Sequence, residues 1–129
     1  MKQELRNKDK GNFLVRYIKS FCHAMSGLWY SIRYEHNMII IILATIVVTV
    51  GGIYYHINEY EWLFCITMIG MVAATEMINT SIEAVVDLVT TKYHPLAKIA
   101  KDTASTATLI FSIVSLIGAL IIFIPKIFI

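Results

Sequence analysis

The sequence predicts an all-α membrane protein, with an N-terminal amphipathic surface helix followed by three transmembrane helices. Two observations carry that prediction. The chain of 129 residues is 57% hydrophobic with a mean hydropathy of +0.67, above the roughly 45–50% apolar share of an ordinary soluble domain. The excess is also concentrated in three long runs rather than spread evenly. At this length the chain is a single domain, too short for a soluble two-lobed enzyme.

The elements follow in order. Residues 1–11 read as a flexible basic N-terminus. They are not a cleavable signal peptide, because polar and basic residues continue and no small-residue cleavage site follows. Over 12–34, Leu14, Ile18, Phe21, Met25, Leu28 and Ile32 recur at helical spacing, with Arg16, Lys19 and His23 off that stripe. This is a basic amphipathic helix, lying at the membrane surface or packed against the bundle by the same stripe. Membrane helices are expected over 37–57, 62–88 and 103–124. Each approaches or exceeds the ~20 residues that cross a hydrocarbon core about 30 Å thick. The first and third are uncharged, and the third is softened only in its first turns by Thr103, Ser105, Thr106 and Thr108.

Loop charges orient the spans. Lys2, Arg6, Lys8, Lys10, Arg16, Lys19 and Arg33 precede the first, and Lys92, Lys98 and Lys101 follow the second. The turn Ile57-Asn58-Glu59-Tyr60-Glu61 has no cation, and the tail carries only Lys126. The positive-inside rule then makes the N-terminus and the second connection cytoplasmic and the C-terminus external. Tyr54, Tyr55, Tyr60 and Trp62 mark the outer interface, where aromatic belts sit. Cys22 and Cys65 are too few for a disulfide framework and read as packing residues.

The second span contains acids that hydrocarbon does not tolerate without a reason. Glu76, Asn79, Glu83 and Asp87 are spaced +3, +4 and +4, which places them within roughly 80° of one another on a helix. Ile78, Ile82 and Val85 occupy the opposite side. Each ionisable group at membrane depth costs at least about 2.5 kcal/mol, so the stripe requires partners, water or a cation. The bland alternative, acids tolerated at the interface, suits Asp87 and Glu83 but not Glu76 and Asn79. The Asn79-Thr80-Ser81 match to a glycosylation acceptor is chance at this depth. Hard oxygen donors with no neighbouring His or Cys suit Mg²⁺. Beyond the helix, Lys92, His94, Lys98 and Lys101 supply cationic donors for a polyphosphate, and Asp102 is placed to orient one of them. Glu35, before the first span, is a further acid at the same level and a candidate to close a metal site. Together these residues describe magnesium-assisted phosphoryl transfer at the inner membrane face. Neither a G-x-x-x-x-G-K-[ST] nor a G-x-G-x-x-G motif is present, so any ATP site is of another design.

The stretch Glu76–Leu88 (EMINTSIEAVVDL), then KYHPLAKIAKD, then a third apolar span, resembles the small prokaryotic diacylglycerol kinase family of integral-membrane lipid kinases. The resemblance runs from about Phe13 to Pro125, and GLWYSIRYEHNM, EWLF and the terminal IPK are similar to its Gram-positive, undecaprenol-phosphorylating branch. It implies ATP-dependent phosphorylation of undecaprenol, or alternatively of diacylglycerol, by a homotrimer in the bacterial plasma membrane whose sites are shared between protomers. The implied partners are ATP, a long-chain lipid alcohol, membrane lipid and other copies of the chain, with no nucleic acid. By matching position, Glu76 is the base and contacts the lipid hydroxyl, with Asn79 orienting groups at the reaction centre. Glu35 and Glu83 hold Mg²⁺ and, through it, the nucleotide. Lys101 and Asp102 contact the nucleotide, with Arg16, His23, Lys92, Tyr93 and His94 near it. The chain departs from the family after Asp102, where TASTATL replaces small residues and an A-V-L ending, and Thr106 is bulkier than usual at a protomer contact.

The rival from another class is a small ion-coupled transporter, since intramembrane carboxylates beside an amide suit a proton or sodium path. The chain has no inverted repeat, and its acids gather toward one end of one helix rather than a midplane. A purely structural membrane peptide leaves the acid face without a purpose.

Overall fold

The computed structural model describes residues 13–129, and those residues are helical apart from short connections. The helices are α1 (Phe13–Tyr34), α2 (His36–Tyr54), α3 (Glu59–Val89) and α4 (Pro95–Phe128). The chain divides after Tyr34 into two units, with α2, α3 and α4 in the second. Residues 1–12, which include the basic segment 1–11, lie outside the described residues.

α1 matches the amphipathic helix expected over 12–34. Its apolar residues Leu14, Ile18, Phe21 and Met25 are exposed, and so is Cys22, which is therefore not the packing residue expected of it. Cys65 on α3 is buried as expected.

α2, α3 and α4 are each long and apolar enough to cross a membrane. α2 is rich in Ile and Val, which cost a helix a few tenths of a kcal/mol each in water. In hydrocarbon every backbone group must be satisfied within the segment, and a helix does this whatever its side chains. α2 stops at Tyr54, short of the expected position 57. His56 takes a left-handed conformation (φ 51°). Its N–H donates to the Ile53 carbonyl (3.3 Å), while the Ile57 N–H donates to that of Gly52 (3.1 Å). This is the paired-bond helix ending usually built on glycine, and it tucks Ile57 into the core.

α3 begins at once. Asn58 Oδ1 accepts the Glu61 N–H (3.0 Å), and Glu61 Oε2 accepts the Asn58 N–H (2.7 Å). This reciprocal cap satisfies two of the helix's free donors. The helix then runs 31 residues, or about 46 Å, longer than a hydrocarbon core of about 30 Å. Part of the helix therefore lies outside the hydrocarbon.

α4 differs most from expectation. It begins at Pro95 rather than near 103 and continues to Phe128 rather than ending at 124. The charges of 95–102 exclude that stretch from hydrocarbon but not from a helix. His94 Nδ1 accepts the Leu96 N–H (3.2 Å), Pro95 sits in the first turn where its missing N–H costs nothing, and Lys98 pairs with Asp102 one turn on. At the other end Pro125 removes one backbone bond, but the loss falls in the last turn. The Pro125 carbonyl still accepts the Ile129 N–H (3.1 Å).

α3 packs chiefly against α4, and less extensively against α2. α3 and α4 run antiparallel and are tied at both ends, by Glu61–Lys126 (3.2 Å) and by Asp87–Lys101 (2.6 Å). Ion pairs within reach of solvent contribute little, so packing decides the arrangement. Gly118 on α4 lies under the Phe64 ring of α3, and a Cβ there would fall 2.1 Å from Phe64 Cζ. Gly52 likewise faces Trp62, at 2.7 Å. Most remaining large apolar side chains of the three helices point outward, Val47 and Ile121 among them, as a lipid solvent permits.

Gly118→Ala should therefore force the Phe64 ring aside and cost about 1–3 kcal/mol, read as a lower melting temperature in detergent. Gly70→Ala, where the added Cβ meets nothing within 4 Å, should leave the melting temperature unchanged or raise it.

Candidate active site

The C-terminal half of α3 sets a gradient of burial along one face. Glu76 is 1% exposed and Asn79 6%, Glu83 is half-buried and Asp87 exposed. Asn79 Nδ2 donates to Glu83 Oε1 (3.1 Å), which fixes both side chains one turn apart. Glu76 Oε1 and Asn79 Oδ1 are buried and have no hydrogen-bond partner. An unpaired polar atom inside a protein costs about 1–3 kcal/mol and more when it is charged, so these two oxygens mark a place built for something else. Asp87 has a different explanation. It pairs with Lys101 across the α3–α4 hairpin, so the lowest member of the acid stripe is engaged within the chain.

Glu76 lines an open cavity of about 260 Å³ between α2, α3 and α4. Asn37, Ser105, Thr108 and Ser112 supply its other polar groups, and the remaining wall is aliphatic. The Thr108 hydroxyl is also buried without a partner. Sequence reasoning did not assign Asn37, Thr108 or Ser112 to the site. The available signal was the scatter of hydroxyls in an otherwise apolar third span. An apolar groove continues from this cavity along the same three helices, sharing Ile40, Ile41, Val72 and Ser112 with it and reaching Leu116 and Ala119.

A second pocket, about 350 Å³, opens at the α3–α4 turn. It gathers Lys92, Tyr93, His94, Lys101 and Asp102, the candidate nucleotide residues that follow α3, together with Lys98. The turn is held by the Thr90 hydroxyl, which accepts the Lys92 N–H (3.2 Å). Because His94 Nδ1 is an acceptor in the helix cap, the neutral imidazole carries its proton on Nε2 and remains a donor there. Thr106, the departure from the family pattern, turns its hydroxyl back to the Asp102 carbonyl (2.7 Å).

Glu35 occupies the N-cap position of α2, half-buried, and its carboxylate makes no cap bond. Neither Glu35 nor Glu83 joins an ion pair among the described residues. No three His, Cys, Asp or Glu side chains converge as a metal-binding group among those residues. Glu35, which makes no cap bond, and the Glu83 oxygen that Asn79 does not hold are hard donors of the kind Mg²⁺ takes, one or two per ion, beside water and phosphate oxygens. Arg16 and His23 are exposed on α1, in the other unit.

Comparison with known proteins shows the family to which the chain is similar. The prokaryotic diacylglycerol kinase family matches residues 22–123, which include the whole acid face and both pockets. The chain is 42% identical over 120 residues to the undecaprenol kinase of Bacillus subtilis, covering 93% of this chain and 98% of that one. It is 36% identical over 110 residues to a diacylglycerol kinase of Helicobacter pylori (83% and 82% covered). To that of Escherichia coli K12 it is 29% identical over 107 residues (80% and 84% covered). The chain belongs to the prokaryotic diacylglycerol kinase family.

Proposed function

We propose that the protein is an ATP-dependent lipid kinase that phosphorylates the hydroxyl of undecaprenol at the cytoplasmic face of a bacterial plasma membrane. The observation that carries this reading is Glu76, a carboxyl group 1% exposed with an unpartnered oxygen, at the head of an apolar groove. The groove suits a hydrocarbon tail, the carboxyl suits the alcohol at its end, and the lysine-lined pocket suits a polyphosphate. Undecaprenol is favoured over diacylglycerol by the higher identity to the relative named for it, over nearly the full length of both chains.

In this mechanism the lipid oxygen attacks the γ-phosphorus of ATP and gives its proton to Glu76. A new P–O bond forms as the bond from the γ-phosphorus to the β,γ-bridging oxygen breaks, and ADP departs with that electron pair. Asn79 holds Glu83 in place and orients groups at the reaction centre. Lys92, Tyr93, His94, Lys101 and Asp102 bind the nucleotide. Glu35 and Glu83 would hold Mg²⁺, whose charge offsets that of the β- and γ-phosphates. The site is completed between copies of the chain in a homotrimer. The N-terminus is cytoplasmic and the C-terminus external, a reading supported by the cations at the α3–α4 turn and their absence from the α2–α3 turn.

The test is purified protein with Mg·ATP and either undecaprenol or diacylglycerol, with the lipid product identified by mass. Undecaprenyl phosphate is the expected product. Faster formation of phosphatidic acid would reassign the lipid, and no lipid-dependent ATP consumption would remove the kinase reading. Glu76→Gln should insert and fold but lose about 10²- to 10⁴-fold in turnover, the range of a general base; turnover near wild type would take Glu76 out of the mechanism. Glu35→Gln and Glu83→Gln should each need more Mg²⁺ for half-maximal rate. Unchanged titrations in both would count against these two as the metal ligands.

A further inference from the structure

The cavity that holds Glu76 contains a second polar group for which the chain provides no partner. A threonine hydroxyl in a helix commonly donates to the carbonyl four residues earlier. Thr45, Thr49, Thr80 and Thr106 do so, to Ile41, Thr45, Glu76 and Asp102. The Thr108 hydroxyl makes no such bond, although it is buried. Valine would fill the same volume with no unsatisfied atom, so in this position the hydroxyl costs stability for no structural return. Ser105, which lines the same cavity, already donates its hydroxyl to the Asp102 carbonyl (3.1 Å).

Glu76 and Thr108 thus line one cavity, and each carries a buried side-chain oxygen without a partner, of complementary hydrogen-bonding type. An ionised carboxylate only accepts hydrogen bonds, whereas a hydroxyl donates as well. An alcohol has one hydrogen to give and two lone pairs. Set between these groups, it gives its hydrogen to Glu76 and accepts the Thr108 hydrogen on one lone pair. The other lone pair is then free for the attack on phosphorus. We propose that Thr108 is a further substrate-contacting residue, whose hydroxyl binds the oxygen of the acceptor alcohol and aims its reactive lone pair. The inference rests on the lipid-kinase reading above. In the step itself the alcohol's proton passes to Glu76, its lone pair makes the new P–O bond, and ADP leaves with the electrons of the broken bond. Thr108 neither gains nor loses an atom.

The experiment compares wild type, Thr108→Val and Thr108→Ser in one detergent, with Mg·ATP and undecaprenol, and in parallel with diacylglycerol. Thr108→Val should lower kcat/KM for the lipid about tenfold, the size of one hydrogen bond to a reacting group. Its KM for ATP should not change, and its melting temperature should stay level or rise because an unsatisfied atom is gone. Thr108→Ser should recover most of the lost activity. Wild-type kcat/KM in Thr108→Val would overturn the proposal, as would a falling melting temperature or a parallel rise in KM for ATP, both marks of a structural role. A wild-type protein that phosphorylates neither lipid would overturn the kinase reading and this proposal together. An active wild type with an equally active Thr108→Val overturns only the second.

Discussion

A carboxyl group enclosed by three apolar helices, with one oxygen left unpaired, is the constraint on which the rest of this molecule depends. Its cost is tolerable only if some other group completes it. The surroundings of Glu76 show how the sequence limits the cost. Burial falls away along α3 from Glu76 through Asn79 and Glu83 to Asp87, so the acids become easier to solvate toward the helix end. Asn79 ties itself to Glu83, and Asp87 is neutralised by Lys101. Among the described residues, the buried oxygens left without a partner are those of Glu76, Asn79 and Thr108, and Glu76 and Thr108 line the same cavity.

The hairpin of α3 and α4 is what keeps that point fixed. Helices in hydrocarbon gain little from burying apolar surface, because lipid is as apolar as leucine, and they associate instead by close packing. The Phe64 ring over Gly118 provides such an approach near the N-terminal end of α3, and ion pairs close the hairpin at both ends. The cap built from His94 and Pro95 starts α4 while the chain is still among charged residues. It thereby turns what would be a floppy linker into one wall of the lysine-lined pocket. Both pockets thus take walls from the same pair of helices, α3 and α4.

Much of this was legible in the sequence, and the misses have physical causes. Hydropathy located the three spans because a lipid solvent imposes a simple rule on composition. The +3, +4, +4 spacing located the acid face because helical geometry is fixed. The start of α4 was misjudged because charge reports where a segment can sit, not whether it is helical. Asp87 read as part of the acid stripe because its partner Lys101 lies on the next helix, beyond what periodicity can reach. Thr108 passed as one polar residue among several in a span. Only three-dimensional packing distinguishes its unpaired hydroxyl from the neighbouring ones that bond to their own backbone. Glu35 was picked out by level in the membrane, and its uncommitted side chain at the α2 N-cap is a detail no pattern carries.

The overhang of α3 and α4 beyond the thickness of a bilayer also bears on what happens after reaction. Attaching a phosphate converts a molecule at home in oil into an amphiphile whose head seeks water. A site buried at mid-depth would trap that head against hydrocarbon. Because the pocket at the α3–α4 turn opens beside exposed Lys92, Lys98 and Asp102, a charged head held there would face water, and its release would need no passage of charge through the membrane interior.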